Sequence, residues 1–249
     1  RITRKTLWAL QHQAKKGDFR TAYCELPFKI AEEGLELHGR IDRVDVYEDK
    51  LDTYVRVIDY KSGRTRFDLS LIYHGLQLQL VTYMDVAMEE LRKRDRGRSI
   101  HPAGLYYYNI NDPVIKYSEL SGREPASEEV RDMALKSLRM NGLSNSDPDI
   151  YVHLDRSLAD EAAAGSKVVP IRLKGGDIWE AYSSVCGTKG FERLMEATRR
   201  RIGEDAVLIR QGRIEASPYK LGDDTGCRYC PYHSVCGFDT SLPGYGYRR

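Results

Sequence analysis

The sequence has no long apolar run and no large excess of charge of either sign. No stretch approaches the ~20 apolar residues that a membrane-spanning helix needs, and no signal peptide is visible. The 39 Lys and Arg residues nearly balance the 37 Asp and Glu residues, so overall charge alone does not indicate a nucleic-acid partner. Internal repeats and low-complexity segments are also absent. We therefore expect a soluble, cytoplasmic protein with no membrane partner.

The hydrophobic content is sufficient for one large domain. A chain of 249 residues with 41% hydrophobic residues can bury a substantial core. The first residue is Arg1 rather than methionine, from which we expect a fragment of a longer protein, truncated at its N-terminus. We expect residues 1–220 to form one domain and residues 221–249 to form a cysteine-rich tail.

Two neighbouring segments are predicted to form a β-hairpin. Residues 40–47 and 53–61 are rich in Val, Ile, Thr and Tyr, and their apolar positions recur at every second residue. The polar run between them favours a turn centred just after Lys50. Because residues equidistant from the turn face each other, this turn places Asp42 directly opposite Asp59.

The face that these two carboxylates share predicts a metal site. Side chains alternate along a strand, so Asp42, Asp59 and Lys61 lie on the face that carries the valines. Opposed carboxylates repel each other, and buried charges need partners or a metal. Magnesium takes oxygen ligands and keeps several waters, and Lys61 is placed to assist the attacking water or to steady charge on a phosphate. A structural ion-pair cluster at the end of the sheet is the alternative.

A downstream segment carries two further polar side chains. From Leu69 to about Arg92 the pattern predicts one helix, with apolar residues recurring at three and four. Gln79 and Tyr83 are four residues apart and therefore share one helical face. An amide can bind a phosphate or the lysine, and a phenol can hydrogen-bond or stack. In the alternative, Tyr83 belongs to the core and Gln79 fills a polar gap.

These motifs together resemble the RecB-type branch of the PD-(D/E)XK nuclease superfamily. The residues that carry the resemblance are GRIDRVD at 39–45, DYKSG at 59–63 and Q-x-x-x-Y at 79–83. Within that branch, nearly the whole chain resembles the nuclease domains of AddB-type helicase–nuclease subunits. The resemblance implies an α/β fold with a restriction-endonuclease-like core, in which helices flank a mixed central β-sheet.

The resemblance also implies a function and a set of roles. We expect a DNA exonuclease domain dependent on Mg²⁺ or Mn²⁺, which works with an AddA-like helicase–nuclease subunit on double-strand ends in recombinational repair. Asp42 and Asp59 are expected to hold the metal, with the Tyr60 carbonyl as a further ligand. Lys61 is expected to assist the attacking water, while Gln79 and Tyr83 position the DNA strand. The expected catalytic residues are therefore Asp42, Asp59, Lys61, Gln79 and Tyr83.

The tail holds a second motif, C-x2-C-x5-C at Cys227, Cys230 and Cys236. Three cysteines so close together do not suit a cytosolic disulfide framework and indicate a metal site; unliganded thiols in a loop are the alternative. Zinc would be completed by His233. An iron–sulfur cluster would need a fourth ligand, commonly cysteine.

The resemblance favours the second choice, a 4Fe–4S cluster whose first cysteine lies far upstream of the nuclease core. Cys24 is too close to Asp42 and Cys186 is too far downstream, so we expect both to be small buried side chains. The fourth ligand, and the histidine that this branch carries on an upstream helix, are expected outside this fragment, and the cluster is then expected to be absent from it. A DNA-holding module with a cysteine-bound metal and no cleavage is the alternative function.

Overall fold

The centre of the protein is a mixed β-sheet with helices on both faces. A computed structural model describes residues 2–112, 127–228 and 230–248. The described helices are α1 (Ile2–Lys16), α2 (Leu69–Tyr73), α3 (Gln79–Arg94), α4 (Ser127–Ser137), α5 (Pro148–Leu154), α6 (Thr188–Arg210) and α7 (His233–Cys236). The described strands are β1 (Arg20–Glu32), β2 (Leu35–Asp49), β3 (Asp52–Lys61), β4 (Ser99–Asn109), β5 (Asn141–Asn145), β6 (Leu173–Lys174), β7 (Asp177–Ile178), β8 (Val185–Cys186), β9 (Lys220–Leu221) and β10 (Asp224–Thr225).

Within the described residues, the main sheet has six strands in the order β1-β2-β3-β4-β5-β8. The first three strands pair antiparallel as successive hairpins. Strands β3 and β4 are parallel, and a parallel pair needs a crossover, which α3 supplies. Strand β5 is antiparallel to β4 and parallel to β8. The sheet is therefore mixed and flanked by helices, which confirms the predicted fold class.

The pairing of β2 with β3 follows the register predicted from the sequence. Arg43 pairs with Ile58, and Asp49 pairs with Asp52, so the turn lies between Lys50 and Leu51. The same register, continued by one residue, sets Asp42 opposite Asp59. The predicted hairpin is confirmed, and both strands extend beyond the predicted bounds.

Two cores lie on the two faces of the sheet. On one face, valines of β2 and β3 pack with apolar residues of α3 and α6, which include Val44, Val57, Leu80, Met84 and Phe191. On the other face, Ile58, Tyr106 and Tyr108 pack with residues of α5. The first face is the one on which β3 continues to Asp59 and Lys61, so the expected site lies at the edge of a well-packed core.

The helix predicted from Leu69 to Arg92 is wrong in its continuity. The chain forms the short helix α2 and then α3, with Gly75 between them at a φ of 77°. A left-handed backbone cannot continue an α-helix, and glycine adopts it without steric cost. As a result Gln79 begins a helix at the edge of the sheet instead of lying in the middle of one.

Across the described parts of the chain, no helix combines the length and apolar character needed to cross a membrane. The expected cytoplasmic location stays a prediction.

Candidate active site

The site lies where β3 ends beside β2. Asp42 on β2 is partly buried, and its Oδ2 accepts a hydrogen bond of 2.8 Å from the main-chain N–H of Tyr60 on β3. Residues that face each other across antiparallel strands are close enough for such contacts. The hairpin register therefore fixes the Asp42 carboxylate against the strand that carries Asp59.

Asp59 is a buried carboxylate with an incomplete set of hydrogen bonds. Its exposed fraction is 2%. Lys61 Nζ lies 2.6 Å from Asp59 Oδ2 as an ion pair, but without the alignment of a hydrogen bond, so among the described residues this buried oxygen has no hydrogen-bond donor. Burial raises the pKa of Asp59 and the nearby charge of Asp42 adds to the rise, although Lys61 opposes both.

Three polar side chains continue from the carboxylate in a line. Lys61 Nζ donates to Gln79 Oε1 at 2.7 Å, and Gln79 Nε2 donates to the Tyr83 hydroxyl at 2.7 Å. Gln79 and Tyr83 meet because they stand one turn apart on α3. The structure thus brings four of the residues singled out in the sequence, Asp59, Lys61, Gln79 and Tyr83, into one connected chain, with Asp42 beside its first member.

Tyr83 unites the two alternatives that the sequence left open. Its side chain is 8% exposed and belongs to the core on this face of the sheet, where its ring meets Phe28 edge-on with centroids 5.7 Å apart. Its hydroxyl nevertheless reaches Gln79. Tyr83 is therefore a core residue with a polar end at the site.

Tyr107 on β4 is a site neighbour that sequence reasoning missed. Its ring lies under the Lys61 ammonium, with 5.4 Å between Nζ and the ring centroid, a distance at which the ring face attracts a cation. Burial raises the pKa of the Tyr107 phenol, as do the charges of Asp59 and Tyr83. The signal was present, because β4 is parallel to β3 and pairs Tyr107 with Asp59.

A buried charge cluster on the opposite face of the sheet was also missed. Asp45 is fully buried, and its carboxylate binds Arg43 at 2.7 Å and Arg56 at 2.8 Å. Burial tends to raise the pKa of Asp45, but the two guanidinium groups outweigh it and hold that pKa low. Arg43 also donates to the Tyr60 hydroxyl at 3.3 Å, so the cluster braces the residue whose N–H holds Asp42. The register could have found it, because Asp45 pairs with Arg56.

The two carboxylates suit magnesium in number and kind. The described residues contain no group of three or more His, Cys, Asp and Glu side chains arranged to hold a metal, so the acidic set here is the pair Asp42 and Asp59. Magnesium is commonly held by one or two carboxylates together with substrate phosphates and waters. The buried oxygen of Asp59 that lacks a hydrogen-bond donor is an acceptor of the type that a hard cation binds.

The cysteine tail does not form a metal site among the described residues. Cys227, Cys230 and Cys236 are free thiols, and neither they nor His233 belong to a group placed to bind a metal. The metal in the tail, zinc or iron–sulfur, stays a prediction. The tail is attached elsewhere, since Tyr219 is 6% exposed and its ring stacks on another ring with centroids 3.6 Å apart, that of His74 just after α2.

The two remaining cysteines differ from each other. Cys24 is exposed, so the expectation that it is buried was wrong; it lies on β1, close to Glu25, which has a φ of 54°. Cys186 is partly buried, and burial raises the pKa of its thiol to about 11.

Comparison with known proteins adds independent information. The family model of the PD-(D/E)XK nuclease superfamily matches residues 1–237. A curated protein of Lachnoclostridium phytofermentans, named as the second subunit of an ATP-dependent helicase/deoxyribonuclease, is 37% identical over 254 residues, which cover 100% of this chain and 21% of that protein. Proteins of the same name from Clostridium botulinum and Clostridioides difficile are 35% and 34% identical, and the aligned parts cover 99% and 96% of this chain. The chain spans 21–22% of the length of these relatives.

Proposed function

Because this chain belongs to the PD-(D/E)XK nuclease superfamily, we propose that it hydrolyses phosphodiester bonds of DNA with the help of Mg²⁺ or Mn²⁺. The observation that carries the proposal is the connected line from Asp59 through Lys61 and Gln79 to Tyr83, beside Asp42. A merely structural ion pair would leave neither a buried carboxylate oxygen without a donor nor two carboxylates opposed at the edge of a core.

The proposed metal ligands are Asp42, Asp59 and the main-chain carbonyl of Tyr60. In an antiparallel pair, one residue directs its N–H and its carbonyl towards the same neighbouring strand. The N–H of Tyr60 points to Asp42, which supports a carbonyl on the same side. When bound, a divalent cation supplies a nucleophile at neutral pH and stabilises negative charge on the phosphodiester.

Lys61 is the proposed partner of the attacking water and of the phosphate. Its ammonium is fixed by Asp59, by the Gln79 amide oxygen and by the face of the Tyr107 ring. These three contacts hold the charge in place before substrate arrives, which lowers the cost of reorganisation during reaction. The side chain is 28% exposed, so a phosphate can still reach it.

Gln79 and Tyr83 are proposed to position the scissile strand. The Gln79 side chain is exposed and joins the ammonium of Lys61 to a buried phenol. The rigid position of Tyr83 against Phe28 orients the Gln79 amide through their 2.7 Å hydrogen bond. A small misplacement of such a group affects the rate strongly.

The wider role is proposed from the relatives' names and from the sequence motifs. We take the chain as the exonuclease part of a helicase/deoxyribonuclease subunit, acting with an AddA-like partner on double-strand ends in recombinational repair. Residues 1–220 then form the nuclease domain, and residues 221–249 contribute to a separate metal site. In that tail the thiolates suit a 4Fe–4S cluster or zinc, and an iron–sulfur cluster requires a fourth ligand in addition to the three cysteines.

The test is the release of nucleotides from linear DNA by this chain, with and without Mg²⁺. Lys61→Ala is expected to lower the rate by at least 10²-fold, since a group that stabilises transition-state charge is worth about that much. Lys50→Ala is the matched control, because Lys50 is exposed in the turn at the other end of the same hairpin. DNA binding without release of nucleotides in any divalent metal would favour the non-cleaving DNA-binding module instead.

A further inference from the structure

Directly after Lys61, the chain runs as an extended segment that is held by side-chain amides. Asn109 accepts from the N–H of Thr65 at 3.0 Å and donates to the Thr65 carbonyl at 3.0 Å. Asn141 accepts from the N–H of Phe67 at 2.7 Å. These two asparagines lie at the end of β4 and the start of β5, so the sheet continues sideways through side chains in place of another strand.

Gln77 holds the other edge of the same segment. Its amide donates to the Arg66 carbonyl at 2.8 Å and accepts from the N–H of Asp68 at 2.9 Å. Residues 65 and 67 thus bond to one side and residues 66 and 68 to the other, which is the alternation of an extended strand. Five hydrogen bonds from three amides fix the backbone of residues 65–68.

The alternation sorts the side chains of the segment. Thr65 and Phe67 are partly buried, and Phe67 packs against the core, whereas Arg64 and Arg66 are exposed. Among the described residues, neither of these two guanidinium groups has a hydrogen bond or an ion pair with the protein. The backbone is therefore rigid while two permanent positive charges beside Lys61 are left without a partner.

We propose that Arg64 and Arg66 hold two successive phosphates of a single DNA strand next to the bond that is cut. Residues two apart on an extended chain are about 6.6 Å apart, which is comparable to the spacing of successive phosphates along one strand. Arginine suits this task because its planar fork matches phosphate oxygens and its charge is permanent. The proposal rests on the proposed function only for the position of the cut; the strand contact itself does not require cleavage.

The test is the salt dependence of binding to a labelled single-stranded oligonucleotide, in buffer with a chelator so that no cleavage occurs. For single strands, each phosphate contact contributes about 0.7 to the slope of log affinity against log salt. The variant with both Arg64→Gln and Arg66→Gln should therefore lose about 1.4 of slope, and each single variant about half as much. Melting temperatures should not change, because both side chains are exposed.

Arg96→Gln is the matched control. Arg96 is exposed, has no partner among the described residues, and precedes β4 at the end opposite to the site, about 33 Å away along an 11-residue strand. Its slope should equal that of the unaltered chain.

Equal slopes for the double variant and the unaltered chain, or no binding of the single strand at all, would overturn the inference. If cleavage nevertheless occurs, the proposed function survives. A reduced slope in a chain that never cleaves DNA would have the opposite meaning, since the strand contact would stand and the nuclease proposal would fail.

Discussion

The N–H of Tyr60 donates a 2.8 Å hydrogen bond to Asp42 Oδ2, across the two central strands. This bond holds one oxygen of Asp42 in place and leaves Oδ1 directed elsewhere. The Tyr60 hydroxyl in turn accepts from Arg43, which belongs to the buried cluster on the other face of the sheet. The position of one proposed metal ligand is thus supported from both faces.

The first prediction concerns Asp59→Asn in buffer without metal. Burial and the charge of Asp42 raise the pKa of Asp59, so the folded state binds this proton more tightly than the unfolded state does. The unaltered chain therefore loses stability as pH rises from the ordinary aspartate range through the raised pKa. Asp59→Asn should melt at an equal or higher temperature at neutral pH, and this difference should vanish in acid.

Metal reverses that order. A cation that binds only the folded state stabilises it by an amount that grows with concentration, so Mg²⁺ should raise the melting temperature of the unaltered chain and leave that of Asp59→Asn unchanged. Asp223→Asn, at an exposed carboxylate of the tail, should respond to Mg²⁺ as the unaltered chain does. Calorimetric magnesium affinity that is the same with and without Asp59 would rule out the two-carboxylate site.

The second prediction separates the two roles of Tyr83. Tyr83→Phe keeps the ring against Phe28 but removes the hydroxyl that Gln79 binds. We expect stability to fall by about 1 kcal/mol at most, as for one hydrogen bond, and kcat/KM to fall about tenfold, the equivalent of about 1.4 kcal/mol. Tyr83→Ala should instead cost about 3–5 kcal/mol of stability, as a large core truncation does.

Gln79→Ala provides the comparison, since it should lower kcat/KM by a similar factor without the cost in stability, and combining it with Tyr83→Phe should add little. Thermal melts and cleavage rates on the same preparations decide the matter. Full specific activity of Tyr83→Phe would mean that Tyr83 serves the core alone.

The central hairpin was predictable because its information is local. Alternating apolar residues and one polar turn fix the register of β2 and β3, and the register alone sets Asp42 opposite Asp59 and pairs Asp45 with Arg56. The first pair was found from the sequence. The second follows from the same register, but charged residues more often lie on a solvated face, so the sequence did not indicate that this pair is buried.

The break before α3 and the amide-held segment were not predictable in the same way. Leu76 fits the helical spacing, yet it is 39% exposed, because Gly75 has already turned the chain. Gln77 was set aside as facing away from the site, and it does so because it binds residues 66 and 68. Asn109 and Asn141 reach that segment from strands that are distant in sequence, and no local pattern reports such contacts.

The third prediction tests the support that Gln77 gives to the segment after Lys61. Gln77→Ala removes two of the five amide hydrogen bonds and alters no charge. We expect KM for DNA to rise several-fold while kcat changes less, because the loosened segment pays ordering entropy only when it binds a strand. Gln77→Glu should be intermediate, since a carboxylate can still accept from Asp68 but cannot donate to Arg66. A change in kcat alone would mean that Gln77 acts on the reacting groups and not on this segment.

The fourth prediction separates the cysteine tail from the cleavage site. Thiolates are soft ligands that suit zinc or iron–sulfur, while the carboxylates of Asp42 and Asp59 suit magnesium. Cys230→Ser should therefore reduce the zinc or iron content of the protein and leave its calorimetric magnesium affinity unchanged. Cys24→Ser is the matched control, because Cys24 is an exposed thiol outside the tail and its loss should alter neither metal.

Elemental analysis also decides which metal the tail binds. With Cys227, Cys230 and Cys236 as its thiolates, this chain prepared without oxygen should contain zinc or no metal, because an iron–sulfur cluster needs a fourth ligand and Cys24 and Cys186 lie on strands of the main sheet. A whole protein of the length of the relatives should contain iron and absorb visible light. Stoichiometric zinc without iron in that longer protein would mean that His233 completes a tetrahedral site, and the cluster implied by the sequence resemblance would be wrong.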